Sequence, residues 1–301
     1  MRRIQFTLLS IALIAAVALP ALFMSGCETV RPMLESQTPF GTAGSLIRTG
    51  KAVSKTFEDI TPEQEYYIGR AVAASVLERY RPYDNPEANR YVNLVGQTLA
   101  QASDRPETFG GYHFLIIDSP EINAFAAPGG LILVTRGMLR CCSTEDALAA
   151  VLAHEIGHIQ GQHGLKAIKT SRLTTAFSVL AMEGLKQFGS PELAQLTEAF
   201  EGSVGDVVST LMNNGYSRDL EQEADQAAVT ILTRVGYNPH ALVDMLKTMG
   251  KNLKPGGLDF AKTHPNPSDR IAEIEVQVKG FPSPPVPQAR QKRFDLAVGP
   301  V

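Results

Sequence analysis

The 301-residue chain has no tryptophan and only three cysteines, Cys27, Cys141 and Cys142. Three cysteines cannot build a disulfide framework. A ring closed between adjacent Cys141 and Cys142 would be strained, so both are expected as thiols, with an oxidising compartment as the setting that could join them to each other or to a partner. A basic excess is also lacking. The 28 Lys and Arg face 31 Asp and Glu, a formal charge of −3. No positive field is available to attract nucleic acid, and that class of function is set aside. Long apolar runs are scarce. The stretch Leu173 to Phe188 carries Glu183 and Lys186 and is too polar to span a membrane. The remaining composition, 44% hydrophobic and 20% charged with 25 Gly and 19 Pro, is globular and excludes a disordered or collagen-like chain.

The longest uncharged run stands at the N-terminus. Arg2 and Arg3 precede 21 residues without charge, Ile4 to Met24, and Ser25-Gly26-Cys27 follows. This reads as an export signal. Small residues before a cysteine resemble a bacterial lipobox, with Cys27 lipidated as the new N-terminus, although Met24 stands where leucine is usual. An uncleaved anchor is the alternative. Both place the remaining chain outside the cytoplasm. Cleavage before Cys27 leaves 26 basic and 31 acidic residues, a net of −5. Glu28 after the cysteine leans to the outer membrane. The chain then divides into a lipoprotein-type signal peptide at 1–26, a tether at 27–58, a folded domain at 59–280 and a Pro-rich tail at 281–301. Pro282, Pro284, Pro285 and Pro287 make that tail extended or disordered.

Thr61-Pro62 opens a helix to about Tyr80, and a second covers about Pro86 to Gln101. Apolar β-rich runs follow at Tyr112–Asp118, Ile122–Ala126 and Leu131–Thr135, with Pro128-Gly129-Gly130 as a turn. Almost everything after them has helical period: about Thr144–Gln160, Leu165–Phe188, Pro191–Met212, Ser217–Arg234, Pro239–Met249 and Pro267–Val278. The expectation is an α+β fold, mostly helical, with a small sheet of about three strands.

The chemistry is concentrated in His154-Glu155-Ile156-Gly157-His158. On a helix, residues four apart share a face, so both imidazoles can reach one metal ion, and Glu155 beside the first can accept a proton from water. Leu148, Val151 and Leu152 mark an apolar face on that helix, and Gly157 leaves room for another element. A third ligand is required. Downstream, Ser217-Arg218-Asp219-Leu220-Glu221-Gln222-Glu223-Ala224-Asp225 clusters carboxylates on one helix. Glu221 and Asp225 share a face, so one can bind metal while the other orients a ligand histidine. His163, His240 and His264 also lie downstream. His163 falls beyond the helix end and reads as exposed, and His113 reads as a packing residue.

Four blocks in order resemble the HtpX/BepA/LoiP group of zinc metalloendopeptidases, relatives of the CAAX prenyl proteases. They are Asn123-Ala-Phe-Ala with Pro128-Gly-Gly and Val134-Thr-Arg-Gly-Met-Leu139, the HEIGH at 154–158, SRDLEQEAD at 217–225, and His264-Pro265 with Arg270. Together they span about half the chain. The resemblance implies a zincin-like (gluzincin) domain with one zinc ion per chain. It makes His154, His158 and Glu221 the ligands, Glu155 the catalytic base and Asp225 the hydrogen-bonding partner of a ligand. It makes Pro128, Gly129, Gly130, Leu131, Ile132, Leu133 and Val134 the edge strand that holds peptide substrates. His264 stabilises the oxyanion or occupies the open metal position. Arg270 anchors its segment, and Arg218 pairs with a nearby carboxylate. The implied function is hydrolysis of misfolded or unassembled bacterial envelope proteins by a lipid-anchored enzyme facing the periplasm. Its partners are protein and peptide substrates, the bilayer through acylated Cys27, and outer-membrane assembly machinery. The alternative is an envelope chaperone or assembly factor whose metal site is closed by His264. A structural zinc site is disfavoured because no cysteine lies in these motifs.

Overall fold

The computed structural model describes residues 60–168, 172, 190–252, 263, 264, 267–299 and 301. The expected signal peptide, Cys27, the expected tether and most of the helix expected over Leu165–Phe188 lie outside these residues. Among the described residues, no helix is long and apolar enough to cross a membrane.

Helix α1 (Pro62–Arg79) begins where the sequence predicts. The Thr61 hydroxyl accepts from the Gln64 backbone N–H, and the Gln64 side chain accepts from the Thr61 N–H, which together satisfy two orphan donors. Helix α2 (Pro86–Ala100) is capped by Asn85. The strands are β1 (His113–Ile117), β2 (Ala124–Ala127) and β3 (Leu131–Thr135), in the order β1-β3-β2. β1 runs parallel to β3, pairing His113 with Leu131, and β2 runs antiparallel to it, pairing Ala124 with Val134.

This topology corrects the expected substrate strand. Leu131 to Val134 form the middle of the sheet, hydrogen-bonded on both sides, so they offer no edge for strand addition. Pro128, Gly129 and Gly130 form a one-turn 3₁₀ segment with positive φ at both glycines. That turn is pinned from α1. Buried Glu65 accepts from the Gly129 N–H at 3.1 Å and from Arg105 at 2.9 Å. The outer edge of β1 is covered too: Asn89 and Asn93, one turn apart on α2, accept from the N–H groups of Ile116 and Phe114. The outer edge of β2, whose residues are all buried, is paired by no described strand. His113 is exposed rather than packed, its ring bonded to the Gly110 carbonyl.

Alternation along the strands divides the core. Phe114, Ile116, Ala124, Ala126, Ile132 and Val134 face one cluster, with α2 and the later helices. Ile117, Phe125, Ala127 and Leu133 face the other, with α1. The sheet is therefore buried on both faces, as a period of two with apolar residues at both phases requires. The short α3 (Arg136–Cys141) ends on Cys141, Cys142 caps it, and both cysteines are free and buried. Helix α4 (Glu145–Gln160) starts at Thr144, whose hydroxyl accepts from the Ala147 N–H. The expected apolar stripe understates it, since every residue from Glu145 to Ile159 is buried. Then follow α5 (His163–Lys166), α6 (Ser190–Ser209) continuing into a π-helical turn at Thr210–Asn214, α7 (Arg218–Val235), α8 (His240–Asn252) and α9 (Pro267–Val278).

The tail departs from the expectation. It lacks helix and strand only as far as Pro287, and α10 (Gln288–Ala297) then packs back onto the domain. Phe294, Val298 and Val301 join the main core. Arg293 pairs with Glu145, a fully buried carboxylate at the start of α4 that also accepts from the Tyr237 hydroxyl at 2.8 Å. A cluster of prolines masked this helix because none lies within it. If α10 is part of the core, Phe294→Ala lowers the unfolding free energy by about 3–5 kcal/mol in urea denaturation. A change within about 0.5 kcal/mol would mark a solvent-exposed tail.

Candidate metal centre

Two helices build the site. On α4, His154 and His158 stand one turn apart, and their Nε2 atoms face each other at 3.1 Å. On α7, which starts after Ser217, Glu221 and Asp225 also stand one turn apart. The helices meet at Gly157. A β-carbon there would lie 2.7 Å from the Ala224 carbonyl oxygen and 2.9 Å from its Cα. The close approach expected of Gly157 is thus with the helix that carries the acids.

Glu221 reaches both imidazoles, with its oxygens 3.5 Å from Nε2 of His154 and 3.5 Å from Nε2 of His158. Asp225 Oδ1 lies 2.9 Å from His154 Nδ1. A carboxylate only accepts, so Nδ1 carries a proton, and Nε2 is the nitrogen left to offer its lone pair to a metal at the centre. From outside the two helices, His264 brings Nδ1 to 2.8 Å from Glu221 Oε1. Its neighbour Thr263 donates to the side-chain oxygen of Asn123, which precedes β2, at 3.3 Å. All four donors, His154, His158, Glu221 and His264, are buried and offer ligand atoms within 4.8 Å of one another. Two imidazole nitrogens and a carboxylate, with a third imidazole beside them, fit a divalent transition metal such as zinc.

Arg270, on α9, does more than anchor its segment. It is buried, donates to both oxygens of Asp225 at 2.6 and 2.8 Å, and sits 3.0 Å from Glu221 Oε2. Arg218 pairs with Glu273, as expected, at the surface.

The electrostatics follow from burial. Burial alone would raise Glu221, but His264, His154 and Arg270 outweigh it and hold its carboxyl well below the usual range. Burial and Arg270 oppose charge on His154, yet its hydrogen bonds to Asp225 and Glu221 lift it to about 9. Burial holds His158 well below the ordinary histidine value. Burial also raises Glu155, against the pull of His264 and His154. Glu155 Oε1 accepts no hydrogen bond among the described residues. A cavity of about 10 Å³, room for one water molecule, adjoins Glu155 and His154 and is walled by Val151, Leu242, Met245 and Leu246.

The chain's similarities agree with this geometry. The model of peptidase family M48 matches residues 86–278, well over half of the chain. The chain belongs to peptidase family M48. It is 27% identical over 215 residues to the beta-barrel assembly-enhancing protease of Escherichia coli (strain K12), covering 69% of this chain and 42% of that protein. It is 24% identical over 229 residues to the putative beta-barrel assembly-enhancing protease of Vibrio cholerae, covering 74% and 46%. It is 30% identical over 230 residues to the mitochondrial metalloendopeptidase OMA1 of Schizosaccharomyces pombe, covering 73% and 63%. The chain thus spans less than half the length of these bacterial relatives.

Three neighbours have roles beyond the sequence reading, which names His163 as exposed and Arg270 as an anchor and does not name Tyr216. His163 is buried rather than exposed and touches His158. The Tyr216 ring stacks on His158 at 4.2 Å. Arg270 bridges both carboxylates. The signal for Arg270 was the pair of buried acids itself, since two carboxylates a turn apart in a core need a cation. Arg270→Ala leaves Asp225 and Glu221 without it. Denaturant unfolding of the metal-free full chain is expected to show a loss of about 3–5 kcal/mol. A loss below about 1 kcal/mol, the range of an exposed pair, would show that other charges balance the acids.

Proposed function

We propose that the chain is a zinc-dependent endopeptidase that cleaves protein substrates in the bacterial envelope. His154, His158 and Glu221 hold the metal and Glu155 serves as the base. The observation that carries this reading is the buried Glu155, adjacent to His154 in the donor set and with an oxygen that accepts no hydrogen bond among the described residues. A protein that only binds chains has no need of such a carboxylate.

Zinc bound by these ligands would act as a Lewis acid, polarising a peptide carbonyl and acidifying the attacking water. Glu155 takes the proton from that water and returns it to the leaving amine, a task that a carboxyl raised by burial suits better than an ordinary one. Asp225, fixed by Arg270, keeps the His154 lone pair on the centre. β2, whose outer edge no described strand or asparagine ladder meets, is the better candidate for holding an extended substrate. Lipidation at Cys27 would place this domain at the outer membrane, facing the periplasm. Misfolded or unassembled envelope proteins would then be its substrates and outer-membrane assembly machinery a partner.

A second reading is favoured by the position of His264. With its Nδ1 at 2.8 Å from Glu221, the donor set has four members. Closed sets of four protein ligands mark metal sites that do not turn over. On this reading His264 keeps the site latent, and the protein binds chains as a chaperone or assembly factor, cleaving them rarely.

Casein cleavage by the zinc-loaded full chain separates the readings. Glu155→Gln should reduce the rate by about 10²–10⁴-fold, the range for losing a general base. Equal rates in both proteins would remove Glu155 from that role. His264→Ala should raise the rate if the residue holds the site latent. A fall of about 10²–10³-fold would instead identify a donor to the oxyanion.

A further inference from the structure

His163 is fully buried, and no step assigned to the site uses it. Its Nδ1 lies 2.8 Å from Nδ1 of His158, and its Nε2 lies 3.0 Å from Glu223 Oε2. The proton positions follow in order. The carboxylate only accepts, so Nε2 of His163 carries the hydrogen. Nδ1 of a neutral His163 is then a lone pair, and it accepts from the Nδ1–H of His158. That leaves the Nε2 lone pair of His158 toward His154 and Glu221, as a metal ligand requires.

The backbone is shaped to produce this contact. Gln162, between the end of α4 and His163, has φ of 52°, the only left-handed non-glycine residue among those described. This conformation is unfavourable for an L side chain. It reverses the chain and turns His163 back under the helix it has just left. Gly161 is the neighbour that permits it, since a β-carbon there would lie 2.1 Å from His163 Nε2. Tyr216 stacks on the His158 ring, with 19° between the planes.

We propose that His163, backed by Glu223, is a positioning residue that fixes the tautomer and orientation of His158, as Asp225 does directly for His154. The inference rests on the reading of His158 as a ligand. It also accounts for the three acids of α7 that follow the exposed Asp219. Glu221 is the ligand, Asp225 holds one histidine, and Glu223, half exposed, holds the other through His163. Lys166 Nζ lies 3.3 Å from the same Glu223 oxygen, and this surface pair is no part of the relay.

The test measures zinc affinity of the full chain by chelator competition. It also uses the visible absorption of the cobalt-loaded protein, which reports ligand geometry independently of turnover. His163→Ala should weaken zinc binding by about 10–100-fold and shift the cobalt spectrum. His163→Asn, whose side-chain oxygen can accept from His158, should recover most of both. Glu223→Ala should weaken binding in the same direction by less, and Lys166→Ala should leave it unchanged. A folded His163→Ala protein with unaltered affinity and spectrum would overturn the inference. If that variant does not fold, an unaltered affinity in Glu223→Ala, a surface change, overturns it equally. A parent chain that binds no zinc would remove the ligand assignment itself and this inference with it.

Discussion

Helices α4 and α7 bring imidazoles and carboxylates to one point only because Gly157 has no side chain where the two backbones touch. It lies between the two histidines in sequence and meets Ala224, which lies beside Asp225. Any side chain at 157 would push the Glu221 helix away from the histidines. The rest of the fold serves this contact. The sheet and α1 lie to one side, α8 and α9 deliver Arg270 from another, and α10 ties the N-terminal end of α4 in place through Glu145. A helix buried along its whole length cannot tilt to accommodate a poorer fit.

Burying so many ionisable groups is costly unless charges balance. Glu221, Asp225 and Glu155 bring three carboxyls into the core beside the single guanidinium of Arg270. In the metal-free state two devices reduce the imbalance: His154 is lifted to about 9 by its acidic neighbours, and Glu155 is raised by burial. A divalent ion at the same point would replace the His154 proton and leave Glu155 free to act as a base. Three carboxyls beside one buried guanidinium suit a divalent cation at this point.

Much of this was legible in the sequence, and the failures have physical causes. Helices were marked by caps and period, as with Thr61-Pro62 and Thr144, and their ends fell within a few residues, except over Leu165–Phe188, where the described helix is only His163–Lys166 and most of the rest lies outside the described residues. His154, His158, Glu221 and Asp225 were readable because helical spacing of four is a local property. Strand order was not local. Leu131–Val134 is apolar at every position, which suits a central strand as well as an edge covered by other elements, and only the pairing with β1 and β2 decides it. His163 was misread because a straight helix continued from α4 would carry it away from His158, and a left-handed Gln162 cannot be foreseen from an ordinary glutamine. Helix α10 was hidden behind prolines that end one residue before it begins.

The central claim is that two imidazoles from α4 and one carboxylate from α7 bind a single metal ion. X-ray absorption at the zinc edge of the zinc-loaded full chain tests it directly. The account predicts one zinc per chain with only nitrogen and oxygen neighbours at about 2.0–2.2 Å, and loss of one of them in Glu221→Ala. A sulfur neighbour at about 2.3 Å, or a shell unchanged in Glu221→Ala, would contradict it.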